Sequence, residues 1–271
     1  MFFTFLVAKL LFTRASGFNI SFLANCILRL KREDTPIIAA RHDDRVCCSS
    51  NGGFSSVAVI FRSNENLMDF AIQGTQPCIT CSFFLVSLFV TELKYGECSI
   101  DFVGGIDSYP WKKMSHVFAL KQNEHSSITD PFIRHFESFA KFKEFVLSSQ
   151  DAEYSTVVKL VERYDAQLPQ LINQLHGRLA SGKKEHSVIL TTAHKSKGLE
   201  FDHVKLGDDF IDLNENLDAL CGPPDDSLIE ELNILYVAIS RARFSLEIPL
   251  KLKRFLAARG CLVDQPRLFC K

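Results

Sequence analysis

Residues 187–206, SVILTTAHKSKGLEFDHVKL, determine how the rest of the chain is interpreted. The apolar runs at 188–190 and 204–206 each predict a short, buried strand. Between them lies a polar, basic turn that includes Gly198, where glycine permits a backbone path that larger residues resist. A buried strand that ends in such a turn brings polar groups to the edge of a sheet. Because open α/β sheets bind nucleotides at such an edge, the stretch predicts a nucleotide-binding α/β fold.

The side chains of this turn suit phosphate and sugar groups. His194, Lys195 and Lys197 can face phosphates, since cations and short donors hold phosphate oxygens. Glu200 follows shortly after and can accept a hydrogen bond from a sugar hydroxyl. These side chains therefore have the chemistry needed to contact a nucleotide or a nucleic-acid backbone.

The composition of the whole chain does not decide whether the protein binds nucleic acid. With 271 residues the chain can hold one or two domains, and 46% hydrophobic residues suffice for a core. The formal net charge is −1 and the pI is about 6.7, so the bulk electrostatic field does not favour DNA. Binding to a polyanion has to depend on a local basic patch.

Cysteine usage and the apolar runs indicate neither a zinc site nor a membrane span. Of nine cysteines, Cys78 and Cys81 have ligand spacing, but no second pair completes a metal site. Buried thiols in a reducing compartment are the favoured interpretation. Residues 1–12 make a poor signal peptide because Lys9 interrupts them, and residues 78–90 are shorter than the roughly 20 residues that a span needs. Both runs are expected to be buried segments.

The remaining pattern predicts one mainly parallel sheet and a helical block. Strands are predicted at 57–61, 100–103, 188–191, 203–206 and 244–248. Residues 107–181 are predicted to be mostly helical and to stand off the sheet as a separate lobe. Residues 31–51 are expected to be an exposed connection, and residues 251–271 a basic tail.

Several helix signals are local. Residues 18–30 have apolar residues at helical spacing, and Asp130-Pro131 is a typical helix start. Ser227 and Glu230 have the spacing of a capping box. An aromatic stripe follows the Asp130 start, and a core face is favoured for it over a base-stacking platform: Phe132, Phe136, Phe139, Phe142 and Phe145.

Two long motifs carry a resemblance to a known family. Residues 192–202, TAHKSKGLEFD, resemble motif V of superfamily 1 DNA helicases of the UvrD/Rep type, and residues 232–243, LNILYVAISRAR, resemble their motif VI. The strand followed by Arg62-Ser63-Asn64 and a helix also matches that family. The string between 131 and 175 resembles the helical 2B insertion of the F-box DNA helicase branch.

The resemblance implies an α/β, RecA-like fold with a mainly parallel sheet interrupted by a helical insertion. Residues 1–106 would form the first part of domain 2A, including a region like motif IV. Residues 107–186 would form the 2B-like insertion, and residues 187–271 would complete domain 2A with motifs V and VI and the basic tail.

The resemblance also implies roles for single residues. Arg241 would be the catalytic arginine that contacts the γ-phosphate, since a planar guanidinium holds two phosphate oxygens at once. Nucleotide-binding roles would fall to Gly198, Glu200, Tyr236 and Arg14. Single-stranded DNA would be bound by Thr192, His194, Lys195 and Lys197. The alternative for Arg241 is an ordinary cation at the end of a helix. The alternative for Tyr236 is a core residue without a role in binding.

The same resemblance limits the reaction that this chain can be expected to catalyse by itself. The intact family hydrolyses ATP with Mg²⁺ and translocates 3′–5′ on single-stranded DNA, but this sequence contains no GxxxxGK[ST] loop and no acidic Walker B box. The first RecA-like domain therefore has to come from elsewhere, and no ATP or Mg²⁺ is expected to bind to this chain independently. Three alternatives stay open: a truncated helicase, a half-motor that needs a separate first domain, or a non-catalytic DNA-binding or interaction remnant. The resemblance implies a nuclear role in recombination and repair, without secretion or a membrane.

Overall fold

The computed structural model describes residues 17–33, 36–39, 43–47, 55–74, 98–180, 186–222 and 225–260. Within these ranges six strands form one sheet: β1 (Arg45–Cys47), β2 (Ser56–Phe61), β3 (Cys98–Phe102), β4 (His186–Thr192), β5 (Phe201–Leu206) and β6 (Ala242–Glu247). Their order is β1-β6-β5-β2-β4-β3, and every neighbouring pair is parallel. The predicted α/β, RecA-like sheet is confirmed.

All five predicted strands lie in this sheet, and their ends differ from the prediction by no more than two residues. The expectation for residues 31–51 is wrong in one part, because residues 45–47 form a strand whose Val46 and Cys47 are buried. Three residues are too few to show an alternating pattern. Pairing with β6, in which Arg45 lies opposite Ser245, makes this segment a strand.

Helices cover both faces of the sheet. They are α1 (Phe18–Leu30), α2 (Asn64–Gln73), α3 (Trp111–Lys121), α4 (Pro131–Arg134), α5 (Phe139–Ser149), α6 (Ala152–Tyr164), α7 (Leu168–Ala180), α8 (Leu217–Cys221), α9 (Asp226–Ile239) and α10 (Leu250–Ala258). Successive side chains of a strand point to opposite faces. In β2, Ala58 and Ile60 therefore join one core with α1, α9 and α10, and Val59 and Phe61 join the other with α2 and the helices of the block.

The helical block predicted at 107–181 is present, but it does not stand apart. Trp111 and Met114 of α3 share one continuous hydrophobic core with Phe102 of β3 and with Val188 and Leu190 of β4. The prediction of a separate lobe is wrong, because the apolar faces of these helices are buried against the sheet and not only against each other. The three-part division of the chain at 106 and 186 stays a prediction.

One helix start is confirmed and one is wrong. Asp130 caps α4, where its carboxylate accepts hydrogen bonds from Phe132 N at 2.9 Å and Ile133 N at 3.3 Å. The predicted capping box at Ser227 does not form. Asp225 caps α9 instead and accepts from Leu228 N at 2.7 Å, because its carboxylate comes two residues earlier.

The aromatic stripe divides between two helices. Phe142 of α5 is fully buried, which confirms the core interpretation at that position. Phe132 of α4 and Phe145 of α5 stay 41% and 38% exposed, although their rings are only 5.5 Å apart. Residues 135–138 interrupt the helix between them, so the stripe is not a single buried face.

The predicted basic tail is wrong for its first part. Residues 250–258 form α10, which buries Leu252, Phe255 and Leu256 at helical spacing. Four other predictions lie outside the described residues: Arg14, the runs at 1–12 and 78–90, and the end of the tail at 261–271. No helix among the described residues is long and apolar enough to cross a membrane.

Candidate nucleotide and nucleic-acid site

The connection between β4 and β5 crosses the sheet from one edge to the other. All strands are parallel, so their carboxyl ends share one edge, here called the carboxyl edge, and their amino ends share the opposite amino edge. Residues 193–200 lead from the carboxyl end of β4 to the amino end of β5. β5 runs between these two edges in five residue steps, so the edges lie about 16 Å apart at ~3.3 Å per step. This one connection therefore contributes side chains to two separate places.

This geometry separates the predicted site residues into two groups. Thr192 and His194 belong to the carboxyl edge, whereas Glu200 directly precedes β5 at the amino edge. Arg241 directly precedes β6, and its carbonyl oxygen accepts from Phe201 N at 2.9 Å. The structure thus places Glu200 beside Arg241 and away from Thr192 and His194.

The guanidinium of Arg241 is held by the residues around it. Its Nε donates to Val237 O at 3.0 Å, Nη1 to Leu199 O at 3.0 Å, and Nη2 to Ser240 Oγ at 2.9 Å. Burial lowers the pKa of Arg241 below its ordinary value, and the nearby carboxylate of Glu200 opposes that shift. Arg241 therefore keeps a positive charge in a fixed, half-buried position.

Tyr236 accompanies Arg241 at the amino edge, and Gly198 lies on the connection between β4 and β5. Tyr236 lies one turn earlier on α9, and burial raises the pKa of its hydroxyl, while the positive charge of Arg241 lowers it. Gly198 has a φ of +82°, a left-handed conformation that side chains rarely adopt, which confirms the backbone reason for glycine there. An open cleft of about 240 Å³ borders Glu200 and has Ser55, Ser56 and Arg243 in its walls.

At the carboxyl edge the predicted DNA-binding residues differ in accessibility. His194 and Lys197 are exposed. Thr192 is only 5% exposed, and its Oγ1 accepts from Lys195 N at 3.4 Å, so its hydroxyl lies within the turn. Ser196 is fully buried and donates to Ala193 O at 2.9 Å, which fixes the shape of the turn.

Lys195 does not extend into solvent. Its Nζ donates to Ser108 O at 2.6 Å and to Ser108 Oγ at 2.9 Å. The same ammonium lies 3.6 Å from the centre of the Tyr109 ring. Burial lowers the pKa of Lys195 below its ordinary value. Ser108 and Tyr109 lie at the entrance to the helical block, between β3 and α3.

An ion-pair network beside His194 was missed by the sequence analysis. The guanidinium of Arg62, after β2, contacts both carboxylate oxygens of Glu231 on α9 at 2.6–3.1 Å. Asp209, after β5, accepts from Arg62 N at 3.0 Å and from Ser63 N at 2.9 Å. Both segments follow strands in the sequence, but only the adjacency of β2 and β5 shows that they meet.

The amino edge fits one part of a nucleotide, a phosphate group opposite a guanidinium. Mg²⁺ requires a near-octahedral set of oxygen ligands, commonly carboxylates, phosphates and water. Among the described residues no group of three or more His, Cys, Asp or Glu side chains is placed to hold a metal ion. Within that part of the chain we assign no residue to Mg²⁺.

Comparison with known proteins assigns the chain to a family. A family model for the UvrD-like helicase C-terminal domain matches residues 113–252, more than half of the chain. The chain is 27% identical to F-box DNA helicase 1 of Gallus gallus over 183 residues, which cover 60% of this chain and 18% of that protein. It is 26% identical to F-box DNA helicase protein 1 of Schizosaccharomyces pombe over 240 residues, 84% of this chain and 25% of that protein.

The chain therefore spans a quarter or less of the length of these two relatives. The matched residues nevertheless include most of the helical block, all of the basic turn and both Arg241 and Glu200. The chain belongs to the family of UvrD-like helicase C-terminal domains.

Proposed function

We propose that this chain is the second RecA-like half of an ATP-dependent 3′–5′ DNA helicase that acts on single-stranded DNA in recombination and repair in the nucleus. The observation that carries the proposal is the position of Arg241, whose guanidinium is held by three hydrogen bonds beside Glu200 at the amino edge. Two curated relatives, both named F-box DNA helicases, support the same assignment.

The amino edge supplies one half of an ATP site. A guanidinium that is already oriented stabilises charge on a transferred phosphoryl group without reorganising during the reaction. Glu200 accepts a hydrogen bond from the ribose, and the polar cleft beside it leaves room for a hydroxylated ligand. Tyr236 packs beside the nucleotide, and Gly198 shapes the backbone that leads to Glu200. Arg14 stays a proposed γ-phosphate ligand on the resemblance alone.

The other half of the ATP site has to come from a first RecA-like domain, in the same polypeptide or in another chain. That domain supplies the phosphate loop and the carboxylates that hold Mg²⁺. These 271 residues contain no GxxxxGK[ST] loop. Arginines alone, without a phosphate loop and ligands for Mg²⁺, do not hold the β- and γ-phosphates in position, so we expect no ATP hydrolysis by the chain alone.

The carboxyl edge binds single-stranded DNA in this proposal. Exposed His194 and Lys197 contact backbone phosphates, and Thr192 shapes the turn that presents them. Lys195 can add a further contact when its ammonium leaves Ser108. Few contacts give weak, sequence-independent binding in the non-specific range of roughly 10⁻⁴–10⁻⁶ M, which falls steeply with salt because released counterions drive it.

The test is to fuse the chain to a first RecA-like domain from a related helicase and to follow phosphate release with single-stranded DNA present. Activity is expected only in the fusion. Arg241→Ala should lower it on the order of 10³–10⁵-fold, and Arg241→Lys should restore little because an ammonium lacks the bidentate fork. The matched control is Arg254→Ala, which removes an exposed arginine of α10 and should leave the activity unchanged.

The outcomes separate the two candidate functions. DNA-stimulated hydrolysis by the chain alone would contradict the half-site proposal. A fusion that binds DNA normally but stays inactive with wild-type Arg241 would favour the alternative, a non-catalytic DNA-binding or interaction remnant.

A further inference from the structure

The ammonium of Lys195 contacts two neighbouring residues, Ser108 and Tyr109. It donates two hydrogen bonds to Ser108, at 2.6 Å to the carbonyl oxygen and at 2.9 Å to the hydroxyl. The face of the Tyr109 ring lies 3.6 Å away. These contacts engage the ammonium, so a phosphate has to compete with them.

The partners of Lys195 are themselves fixed. Ser108 Oγ donates to Gly105 O at 2.8 Å, and the chain turns at Gly104 and Gly105 with φ values of +80° and +78°. Tyr109 is 4% exposed, and its ring lies 5.3 Å from that of Phe102 at the end of β3. Residues 103–109, here called the entry turn because they lead into the helical block, therefore provide the acceptors for Lys195.

We propose that Lys195 is a positioning residue that links the DNA-binding turn (residues 192–198) to the entry turn. Its ammonium makes no persistent contact with DNA. A phosphate and the entry turn compete for the same ammonium, and the entry turn holds it in the DNA-free chain. The inference rests on the proposed binding of single-stranded DNA at the carboxyl edge. It adds that the helical block limits how many phosphates the DNA-binding turn can hold.

The dependence of DNA binding on salt measures the number of phosphate contacts. For single strands the slope of log K against log salt concentration changes by about 0.7 per phosphate contact. Fluorescence anisotropy with a labelled oligonucleotide should give the same slope for Lys195→Met as for the unaltered chain. The matched variant Lys197→Met, two residues along the same turn, should make the slope shallower by about 0.7.

Weakening the contacts that hold the Lys195 ammonium should steepen the dependence of DNA binding on salt. The double variant Ser108→Ala with Tyr109→Leu removes the hydroxyl and the aromatic face and leaves only the Ser108 carbonyl oxygen as a partner, so a phosphate competes more easily for the ammonium. We expect its slope to steepen by about 0.7, and addition of Lys195→Met should return it to the original value. Tyr109→Phe keeps the ring and should behave like the unaltered chain. A shallower slope for Lys195→Met alone would overturn the proposal.

A second measurement does not depend on DNA. Acetylation of the folded chain by an N-hydroxysuccinimide ester, followed by mass spectrometry, reports how accessible each lysine is. Lys195 should react more slowly than Lys112, whose side chain is 84% exposed, and the double variant should remove the difference. Equal rates in the unaltered chain would contradict the role of the entry turn. If the chain bound no DNA while Lys195 stayed protected, the proposed DNA function would fail and the positioning role would stand.

Discussion

The guanidinium of Arg241 donates to the carbonyl oxygen of Leu199 at 3.0 Å, which joins the end of α9 to the segment that leads into β5. A second hydrogen bond joins the same two segments, because Phe201 N donates to Arg241 O at 2.9 Å. Arg241 therefore supports the amino edge structurally, in addition to any contact with a nucleotide.

Arg241→Ala should destabilise the isolated chain as well as abolish catalysis by a complete motor. Three hydrogen bonds are lost from a half-buried group, at roughly 0.5–1.5 kcal/mol net for each, so we expect the free energy of unfolding to fall by about 1.5–4.5 kcal/mol. Urea denaturation measures this. The exposed Arg254→Ala control should stay within about 0.5 kcal/mol of the unaltered chain. An unchanged midpoint for Arg241→Ala would mean that the three bonds contribute nothing.

DNA binding should strengthen on acidification because of His194. Burial lowers the pKa of His194, the cations Lys197 and Arg62 add to the shift, and Glu230 and Glu231 oppose it. The free imidazole is therefore neutral near neutral pH and gains a proton only below its ordinary value of about 6.5. A bound phosphate favours the protonated form, so binding takes up a proton and the affinity should rise as the pH falls from about 8 to about 6.

Two histidine variants test the source of this pH dependence at constant ionic strength. His194→Gln should flatten the dependence of the dissociation constant on pH. His203→Gln removes another histidine whose pKa is lowered by burial, but that residue lies in β5 and not in the turn, so the dependence should persist. A pH-independent affinity in the unaltered chain would contradict a contact between His194 and DNA.

The start of α1 should depend on Asp44. Its carboxylate is buried and accepts from Asn19 N at 3.1 Å and Ile20 N at 2.7 Å, which satisfies amide groups at the helix N-terminus. Asp44→Asn places an amide donor against these N–H groups and should lower the free energy of unfolding by about 1–2 kcal/mol. The control Asp101→Asn changes an exposed aspartate of β3 and should have little effect.

Gly17→Ala tests the same contact from the other side. A Cβ at Gly17 would lie 2.0 Å from Asp44 Cγ, so the side chain and the helix start cannot both keep their positions. We expect a loss at least as large as that of Asp44→Asn, with both measured by urea denaturation. A neutral Gly17→Ala variant would show that the chain passes Asp44 along a different path.

The ion pair between Arg62 and Glu231 should show a modest, salt-sensitive coupling. Its side chains are 31% and 27% exposed, so solvent screens part of the attraction. A double-mutant cycle with Arg62→Ala and Glu231→Ala should give a coupling free energy of about 0.5–1 kcal/mol that decreases with added salt. Zero coupling at low salt would mean that the bidentate geometry contributes nothing to stability.

Local sequence determined much of the secondary structure. The bounds predicted for α1 are those observed, and the core strands β2 and β4 were found because consecutive apolar residues mark a strand buried on both faces. The two helicase motifs were equally recognisable, since each is a long, contiguous string. Asp130 and Pro131 marked a helix start because capping acts within one turn.

Elements that depend on a distant partner were missed. β1 is three residues long, and only the neighbouring β6 makes it a strand. The helical block was expected to stand apart, because periodicity shows that a helix has an apolar face but not which surface covers it. The same limit concealed α10, whose apolar residues are interrupted by Lys251, Lys253 and Arg254.

For the candidate site, the sequence predicted which residues carry the chemistry, and the tertiary structure decided how they are grouped. Glu200 follows His194 by only six positions, yet the crossing connection places them at opposite edges of the sheet, with Glu200 beside Arg241. Lys195 and Ser108 are 87 positions apart and are in contact. Such groupings follow from strand order and from the direction of each connection, which the spacing of residues along the chain does not contain.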